Sequence, residues 1–329
     1  MAGVFVISLD FELYWGMRDV ISVEGYSAHL DGTPKAVEEM LELFKKYETH
    51  VTWATMGFLF CKDSKEVKKY APSILPNYKD DEINLYSYME QNPIKSEYHF
   101  APKSIDLITS YENQEMATHT YSHYYCLEEG QDEESFYEDL KACKKIADVK
   151  DIKLTSLIFP RNQYNQSYLG VIEKVGITSY RGNERGWIYE AASEEEKKTP
   201  LKRALRIFDS YINISGYHTY KLEDIVKQTP YNIPASRFLR PYSAKLSFLD
   251  GFRLRRITDA MTHAAKNNEL FHLWWHPHNF GVSTKENIAF LTKILEHCKK
   301  LENEYDFKSL TMNEVSYSLS SIALSQPSS

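Results

Sequence analysis

Two histidines separated by three residues, His119 and His123, have the clearest chemical potential in this sequence. Two imidazoles at this spacing can reach one divalent cation when they lie on a helical turn or in a tight loop after a strand. The spacing alone is a weak signal, because His272 and His276 form a second pair of the same kind. The first pair gains weight from other polar residues that could join it.

An acidic pair, Asp10 and Glu12, follows the apolar run Val4-Phe-Val-Ile-Ser-Leu. Residues two apart on a strand point to the same side, so one carboxylate can bind a metal while the other handles protons. Two histidines and one carboxylate leave coordination positions open for water, as a catalytic divalent ion requires. Arg161 and His276 also follow short apolar runs, and reactive residues gather at the C-terminal ends of strands in a parallel barrel. We therefore expect a common site.

The elements that must position these residues alternate between short apolar runs and longer helical patterns. Such repeated strand–helix units predict a mainly parallel sheet covered by helices, although the pattern alone does not separate an open sheet from a barrel. One helix is expected to begin at Thr33-Pro34 and to end near residue 47. Strands are expected at residues 4–9, 50–56, 154–159, 178–181, 270–275 and 308–311, with polar insertions at 63–105 and 188–230.

Composition narrows the class of protein. The chain has 329 residues with 43% hydrophobic residues, which is ample material for a core, and it contains no apolar stretch long enough to span a membrane. Its net charge of -7 argues against a nucleic-acid partner. The N-terminus lacks the features of a secretory signal, and four widely spaced cysteines suit free thiols in a reducing compartment. We expect a cytoplasmic protein.

Four segments of the chain, in this order, resemble the motifs of the polysaccharide deacetylases, the NodB-homology proteins similar to carbohydrate esterase family 4. The His119-Thr-Tyr-Ser-His123 segment matches the His-Ser/Thr-x-x-His motif of that family closely. Ser8-Leu-Asp10-Phe-Glu12 stands in place of Thr-Phe-Asp-Asp, Phe159-Pro-Arg161 in place of an Arg-Pro motif, and Leu273-Trp-Trp-His276 in place of Leu-x-Leu-x-His. The chain departs from the family by the residue between its two acids and by the Pro-Arg order. The resemblance extends over residues 4–315.

This resemblance implies an α/β fold, an irregular barrel of about seven strands with loop insertions. It implies a single catalytic domain over residues 1–317, and the Ser-rich composition of residues 318–329 predicts a flexible tail after it. It also implies metal-dependent hydrolysis of an amide, with one divalent ion, preferably zinc, bound by Glu12, His119 and His123.

The resemblance further assigns Asp10 as general base and His276 as general acid, with Arg161 beside Asp10 to keep that carboxylate ionised. The reverse assignment of Asp10 and Glu12 stays open because of the residue between them. His278 stays open as an alternative acid, whereas His272, deeper in the strand, is expected to be a hydrogen-bonded core residue. A backbone N–H of residues 121–125 is expected to stabilise the oxyanion.

The reaction that this site implies is removal of an N-acyl group, preferably acetyl, from an amino sugar. A cytoplasmic enzyme would meet a nucleotide- or lipid-linked sugar, as in O-antigen or capsule assembly. Hydrolysis of a small non-sugar amide, a non-catalytic carbohydrate-binding relic and a retaining glycosidase that uses Asp10 and Glu12 are the alternatives. The insertions at 63–105 and 188–230 are expected to narrow the site around a short sugar. Expected substrate contacts are Trp15, Trp187, Arg181, Trp275 and Tyr121.

Overall fold

A curled, mostly parallel sheet forms the centre of the protein. The computed structural model describes residues 2–186, 188–189 and 200–325. The strands are β1 (Val4–Phe11), β2 (Val51–Thr55), β3 (Gln114–Thr118), β4 (Ser156–Ile158), β5 (Ser179–Arg181), β6 (Tyr220–Lys221), β7 (Tyr231–Asn232), β8 (Arg237–Phe238), β9 (Glu269–Trp275) and β10 (Lys308–Ser309). They run in the spatial order β6-β9-β1-β2-β3-β4-β5-β7, with β10 beside β1 and β8 beside β9. Among these described strands, only β6 is antiparallel to its neighbour.

One irregular segment, Tyr231 to Leu239, connects the two ends of this curl. Its first half bonds to β5, where the Ile233 N–H donates to the Tyr180 carbonyl over 2.9 Å. Its second half bonds to β9, where the Leu239 N–H donates to the Trp274 carbonyl over 2.8 Å. With this segment as one member, the circuit has the seven members β1, β2, β3, β4, β5, β7–β8 and β9. The expected irregular α/β barrel in one domain is therefore confirmed.

Helices cover the outside of the sheet, and short 3-10 helices follow several strands. The apolar runs that predicted β1, β2 and β9 are buried because the barrel interior covers one face and the helices cover the other. No helix among the described residues is long and apolar enough to cross a membrane. The helices are α1 (Val23–Lys46), α2 (Ser64–Tyr70), α3 (Leu85–Gln91), α4 (Ser96–His99), α5 (Pro102–Thr109), α6 (Glu133–Asp148), α7 (Leu169–Lys174), α8 (Pro200–Asp209), α9 (Leu222–Ile225), α10 (Asp250–Asn267), α11 (Thr284–Tyr305) and α12 (Met312–Ser325).

Two expected boundaries are wrong. Helix α1 begins at Val23, with Ser22 as its cap, so Pro34 lies inside the helix instead of opening it. Pro34 lacks an N–H, and the nearby Thr33 hydroxyl donates to the His29 carbonyl over 2.7 Å, a local adjustment where the helix ladder is interrupted. The expected tail at 318–329 also begins too early, because α12 continues through Ser325 and Leu319 is fully buried.

Candidate metal centre

Four parallel strands bring the predicted reactive residues to one end of the barrel. Asp10 is the penultimate residue of β1, and His119 and His276 immediately follow β3 and β9. Arg181 is the last residue of β5. Because all four strands point the same way, their carboxyl ends share one edge, and the side chains that follow them converge there.

Glu12, His119 and His123 form a compact, buried cluster. One oxygen of Glu12, Oε2, lies 3.2 Å from His119 Nε2 and 2.8 Å from His123 Nε2. The three candidate ligand atoms all lie within 4.8 Å of one another. Both imidazoles are completely buried, and Glu12 is 3% exposed. The expected convergence of these three side chains is what the structure shows.

The protonation of this cluster favours a cation. The carbonyl of Ile158 only accepts, so His119 Nδ1, 2.9 Å away, must carry the proton. In the tautomer with Nε2 unprotonated, His119 directs a lone pair at the Glu12 carboxylate, so two acceptors face each other. Burial lowers the pKa of His123 to about 4, which keeps the His123 imidazole neutral. A divalent ion bound between the three groups would satisfy all of them, so the donor set fits a metal.

Glu12 is ionised in this environment. Burial alone would raise its pKa, but His276, His119 and His123 hold the pKa well below its ordinary value. A carboxylate that stays ionised is a competent metal ligand, and ligands must be deprotonated to bind.

Asp10 is held by an arginine that the sequence did not indicate for this role. Arg181 is fully buried, and its Nη1 and Nη2 donate to the two oxygens of Asp10 over 2.7 and 2.8 Å. Arg181 also donates to Ser8 and Asn162 over 2.9 Å each. Burial raises the pKa of Asp10, yet the Arg181 charge more than compensates, so the pKa lies below its ordinary value. Asp10 is therefore ionised and fixed in orientation.

The expected pairing of Arg161 with Asp10 is wrong. Arg161 forms an ion pair with Asp19, and its guanidinium lies 4.9 Å from the ring centroid of Tyr125. Arg161 has a left-handed backbone conformation in the short 3-10 helix after β4, with φ of 54°. This turn directs the side chain towards the rim of the site, while Arg181, one strand further, reaches Asp10.

His276 lies against both carboxylates. Its Nε2 atom is 3.5 Å from Glu12 Oε1 and 4.0 Å from Asp10 Oδ2, and its side chain is 24% exposed. His278 is buried and stacks on His276 with ring centroids 5.1 Å apart; burial lowers its pKa to about 3. Of the two, His276 is the one that reaches the open side of the site. His272, as expected, is a core residue bonded to the Ser8 hydroxyl over 2.8 Å.

Known structures share this architecture. A protein of Mycobacterium smegmatis assigned to the polysaccharide deacetylases aligns with a TM-score of 0.56 at 12% identity, over 100% of this chain and 96% of that one. The chain has the fold of the polysaccharide deacetylases. The Puue allantoinase aligns equally well, with a TM-score of 0.56 at 11% identity over 99% of this chain and 92% of its own.

The same deacetylase fold occurs in a larger enzyme. A 4-alpha-glucanotransferase of Thermococcus litoralis aligns with a TM-score of 0.53 at 11% identity, over 96% of this chain and 40% of that one. No family model matches the sequence, and no curated protein sequence gives a significant match. Because one fold supports three different chemistries here, the function must be argued from the side chains of the site.

A buried aspartate holds the loop that carries the two histidines of this deacetylase fold. Asp139, on α6, is completely buried and accepts from the backbone N–H groups of Tyr121 and Ser122 over 2.6 and 3.0 Å. It also accepts from the Ser122 hydroxyl. Thr120 and His123 both have positive φ, 62° and 53°, so this loop is strained and depends on such contacts.

We predict that Asp139→Asn weakens metal binding by about 10–100-fold, as loss of a residue that orients metal ligands typically does. Asparagine offers one acceptor oxygen where the carboxylate offers two, so one loop donor loses its partner. Titration of the metal-free protein with zinc in a competing chelator measures the effect. Asp132→Asn, at the N-cap of the same helix, is the control and should leave zinc affinity unchanged. Equal affinity in both variants would contradict this role of Asp139.

The Glu12 carboxylate also needs the space that Gly16 leaves. A Cβ atom at residue 16 would lie 2.0 Å from Glu12 Oε1, far closer than any contact allows. The 3-10 helix Leu13–Gly16, which follows β1, brings the two residues together. Only glycine therefore permits the position of Glu12 seen here.

We predict that Gly16→Ala reduces metal content strongly, because the new methyl group must displace the Glu12 carboxylate. Gly170→Ala, on helix α7, is the matched control, since no atom lies within 4 Å of the added Cβ. Alanine there should be neutral or slightly stabilising. Elemental analysis of the purified variants after dialysis against zinc is the measurement. Full metal occupancy in Gly16→Ala would show that the site tolerates a different position of Glu12.

A cavity of about 220 Å³ opens beside His276. Trp274 and Phe238 form part of its wall, and Glu184 accepts from the Trp274 indole N–H over 3.3 Å. Trp274 shares a strand face with His272 and His276. The described lining residues are Arg161, Asn162, Asn183, Glu184, Tyr189, Arg206, Ser210, Arg237, Phe238, Arg240, Trp274 and His276.

Most of the expected substrate contacts lie elsewhere. Trp15 and Trp275 are completely buried in the core, where they pack on Phe58 and Phe280 respectively. The Tyr121 hydroxyl donates to the Val67 carbonyl over 2.7 Å, inside the core. These three expectations are wrong because a large aromatic ring near a site more often packs in the core. Arg181 lies behind Asp10, and Trp187 lies outside the described residues.

The two insertions differ in their relation to the cavity. Tyr189, Arg206 and Ser210, from the stretch 188–230, line it as expected. Among the described residues of 63–105, none lines it; this insertion packs behind the site, where His99 accepts from the Trp15 indole over 2.6 Å.

Most of the backbone N–H groups that were expected to stabilise an oxyanion already form hydrogen bonds within the protein. The N–H groups of Tyr124 and Tyr125 bond to the Thr120 hydroxyl and the Tyr78 hydroxyl over 2.7 and 2.9 Å. Together with the Tyr121 and Ser122 N–H groups bound by Asp139, four of the five N–H groups of residues 121–125 already have partners. A backbone contribution from this segment would have to come from His123.

Proposed function

We propose that the protein is a metal-dependent hydrolase that removes an N-acyl group, preferably acetyl, from an amino sugar. One observation carries this proposal: Glu12, His119 and His123 can bind a cation, while Asp10 and His276 lie next to that cluster at the mouth of a cavity. A binding protein would not need a carboxylate and an imidazole held beside a metal site. The likeness to polysaccharide deacetylases, which shows the fold alone, is consistent with this chemistry.

The residues have complementary roles in the proposed reaction. A divalent cation, when bound, would polarise the acyl oxygen and lower the pKa of a water molecule. Asp10, ionised and oriented by Arg181, accepts a proton from the attacking water. His276 donates a proton to the leaving nitrogen as the C–N bond breaks. Trp274 and Phe238 flank His276 and exclude water from one side of the reacting group.

The donor set favours zinc among divalent ions, because two imidazoles and a carboxylate are common ligands of catalytic zinc. Other divalent transition metals suit the same ligands. The contacts support Glu12 as ligand and Asp10 as base, since both imidazoles face Glu12 and the arginine faces Asp10.

The substrate in this proposal is a carbohydrate linked to a nucleotide or a lipid, an intermediate in the assembly of a surface glycan such as O-antigen or capsule. The cavity of about 220 Å³ suits a short sugar better than a polymer. All four cysteines are buried and unpaired, which supports a location in the reducing cytoplasm.

A second candidate is hydrolysis of a small non-sugar amide. The allantoinase that shares the fold with a TM-score of 0.56 favours it, as does the modest size of the cavity. A retaining glycosidase fits less well, because Arg181 and the two histidines already engage Asp10 and Glu12.

The decisive experiment combines metal analysis with a product screen. The purified protein is expected to retain a divalent ion and to release acetate from N-acetylated sugars, to lose this activity with a chelator and to regain it with zinc. Ammonia or ureido products from small amides, without acetate from sugars, would favour the second candidate. Acetate release that persists after complete metal removal would rule out the proposed mechanism.

A further inference from the structure

The cavity beside His276 is strongly cationic. Among the lining residues that the structure describes, four are arginines and one, Glu184, is a carboxylate. On a chain whose net charge is -7, this local excess of positive charge is unexpected from composition. Arg206 and Arg240 form no ion pair with any residue that the structure describes, and Arg161 is paired with Asp19.

Arg237, which lines this cavity, has N–H donors without a hydrogen-bond acceptor among the described residues. It is 4% exposed, and its Nη1 donates to Asp209, while its Nε and Nη2 lack a partner among the described residues. Asp209 also forms an ion pair with Arg256, which is 4% exposed. Two buried guanidinium groups therefore share one carboxylate. Buried charges are costly unless they are paired, so this arrangement calls for a further anion.

Arg237 and Arg240 lie near His276, the proposed proton donor to the leaving nitrogen. Arg237 and Phe238 form β8, which pairs with β9 so that Phe238 lies opposite Trp274. The Phe238 ring lies 5.9 Å from His276, and the Arg240 guanidinium lies 6.0 Å from the Phe238 ring. A ligand whose amide reaches His276 would extend past Phe238 towards Arg237 and Arg240.

We infer that Arg206, Arg237 and Arg240 form a subsite for an anionic group of the substrate, a phosphate or a carboxylate. Guanidinium groups present paired donors that match both groups. This inference rests on the proposed function in taking the ligand to be the substrate whose amide reaches His276. It narrows the substrate from amino sugars in general to those that carry a negative charge.

Calorimetry of the zinc-loaded protein with three probes tests the subsite. The probes are the neutral methyl glycoside of N-acetylglucosamine, N-acetylglucosamine 1-phosphate, and the methyl glycoside of the corresponding uronic acid. The charged probes should bind at least about tenfold more tightly than the neutral one, since hydrogen bonds to charged groups have that effect. Whether the phosphate or the carboxylate shows the gain identifies the source of the charge.

Variants separate the subsite from general electrostatics. Arg240→Gln should abolish the advantage of the charged probes, and Arg206→Gln serves if that variant does not fold. Arg255→Gln, at an exposed position that pairs with Asp259, is the control and should retain the advantage. Equal binding of neutral and charged probes, or an advantage that survives in Arg240→Gln and Arg206→Gln, would overturn the inference.

Acetate release from the same probes distinguishes this inference from the proposed function. If charged probes bind through Arg240 without release of acetate, the subsite stands and the deacetylase proposal fails. If acetate leaves neutral and charged probes equally well in the wild-type protein and in Arg240→Gln, the deacetylase proposal stands and the subsite is wrong.

Discussion

Replacing Asp10 by asparagine is expected to lower acetate release by about 10²–10⁴-fold, the usual contribution of a general base. Asparagine retains the shape of the side chain and can still accept a hydrogen bond from Arg181, so the site should remain assembled. It cannot take a proton from water. Metal content should stay unchanged, because both imidazoles face Glu12 and not Asp10.

Two companion variants make this prediction specific. Glu12→Gln should lose most of the bound metal and the activity together, since it removes the charge that both histidines face. Asp19→Asn, whose carboxylate pairs with Arg161 at the rim, should have a much smaller effect on turnover. Steady-state kinetics with parallel elemental analysis measures both quantities. Loss of metal in Asp10→Asn with retention in Glu12→Gln would exchange the roles of the two acids.

The parts of the fold that sequence predicted are those that depend on local pattern. Strands β1, β2 and β9 are buried on both faces, and nearly continuous apolar runs of this length are typical of strands inside a parallel sheet covered by helices. The segment Tyr231 to Leu239 could not be predicted as a barrel member. It bonds to β5 with one half and to β9 with the other, and no apolar periodicity records such a change of partner.

Helix boundaries failed where tertiary contacts override a local signal. Pro34 is a common first residue of a helix, and its position predicted a start there. The chain instead continues the helix back to Val23, because Tyr26 and Leu30 are buried. Close packing also contributes, since a Cβ at Gly32 would lie 1.8 Å from the Gly281 carbonyl oxygen. Likewise the serines after residue 317 suggested a flexible tail, but Leu319 packs in the core and extends α12.

Within the site, the sequence located the ends of strands correctly but could not choose between two arginines. Arg161 follows the short strand β4, and Arg181 is the last residue of the short strand β5. Only the register of the strands and the left-handed turn at Arg161 decide that Arg181 points inwards to Asp10. These are properties of the assembled barrel.

Two residues at or near the site, Trp274 and Asp139, did leave a signal in the sequence. Strand alternation places Trp274 on the face of His272 and His276, so it should have been preferred to Trp275 as a cavity residue. Asp139 lies among Phe136, Leu140 and Cys143 on the buried side of α6, and an acid on an apolar face indicates a specific partner. That partner, the backbone of the histidine loop, is known only from the structure.

Arg181 is expected to be the residue of this site whose loss costs the most stability. Arg181→Met removes the only cation that contacts Asp10 within hydrogen-bonding distance among the described residues and leaves a buried, uncompensated carboxylate. Breaking a buried pair in this way typically destabilises a protein by about 3–5 kcal/mol. Arg255→Met, which breaks an exposed pair with Asp259, should change stability by no more than about 0.5 kcal/mol.

Urea unfolding of the metal-free proteins measures these differences without a contribution from the ion, and a double variant isolates the pair. Asp10→Asn combined with Arg181→Met removes both charges, so its cost should be clearly smaller than the sum of the two single costs. Such non-additivity would show that the main penalty in Arg181→Met is the carboxylate left alone. Two results would contradict this role of Arg181: additive costs, or an Arg181→Met variant as stable as Arg255→Met. Either result would mean that water or another group contacts Asp10. Solvent, and not Arg181, would then keep the Asp10 carboxylate ionised.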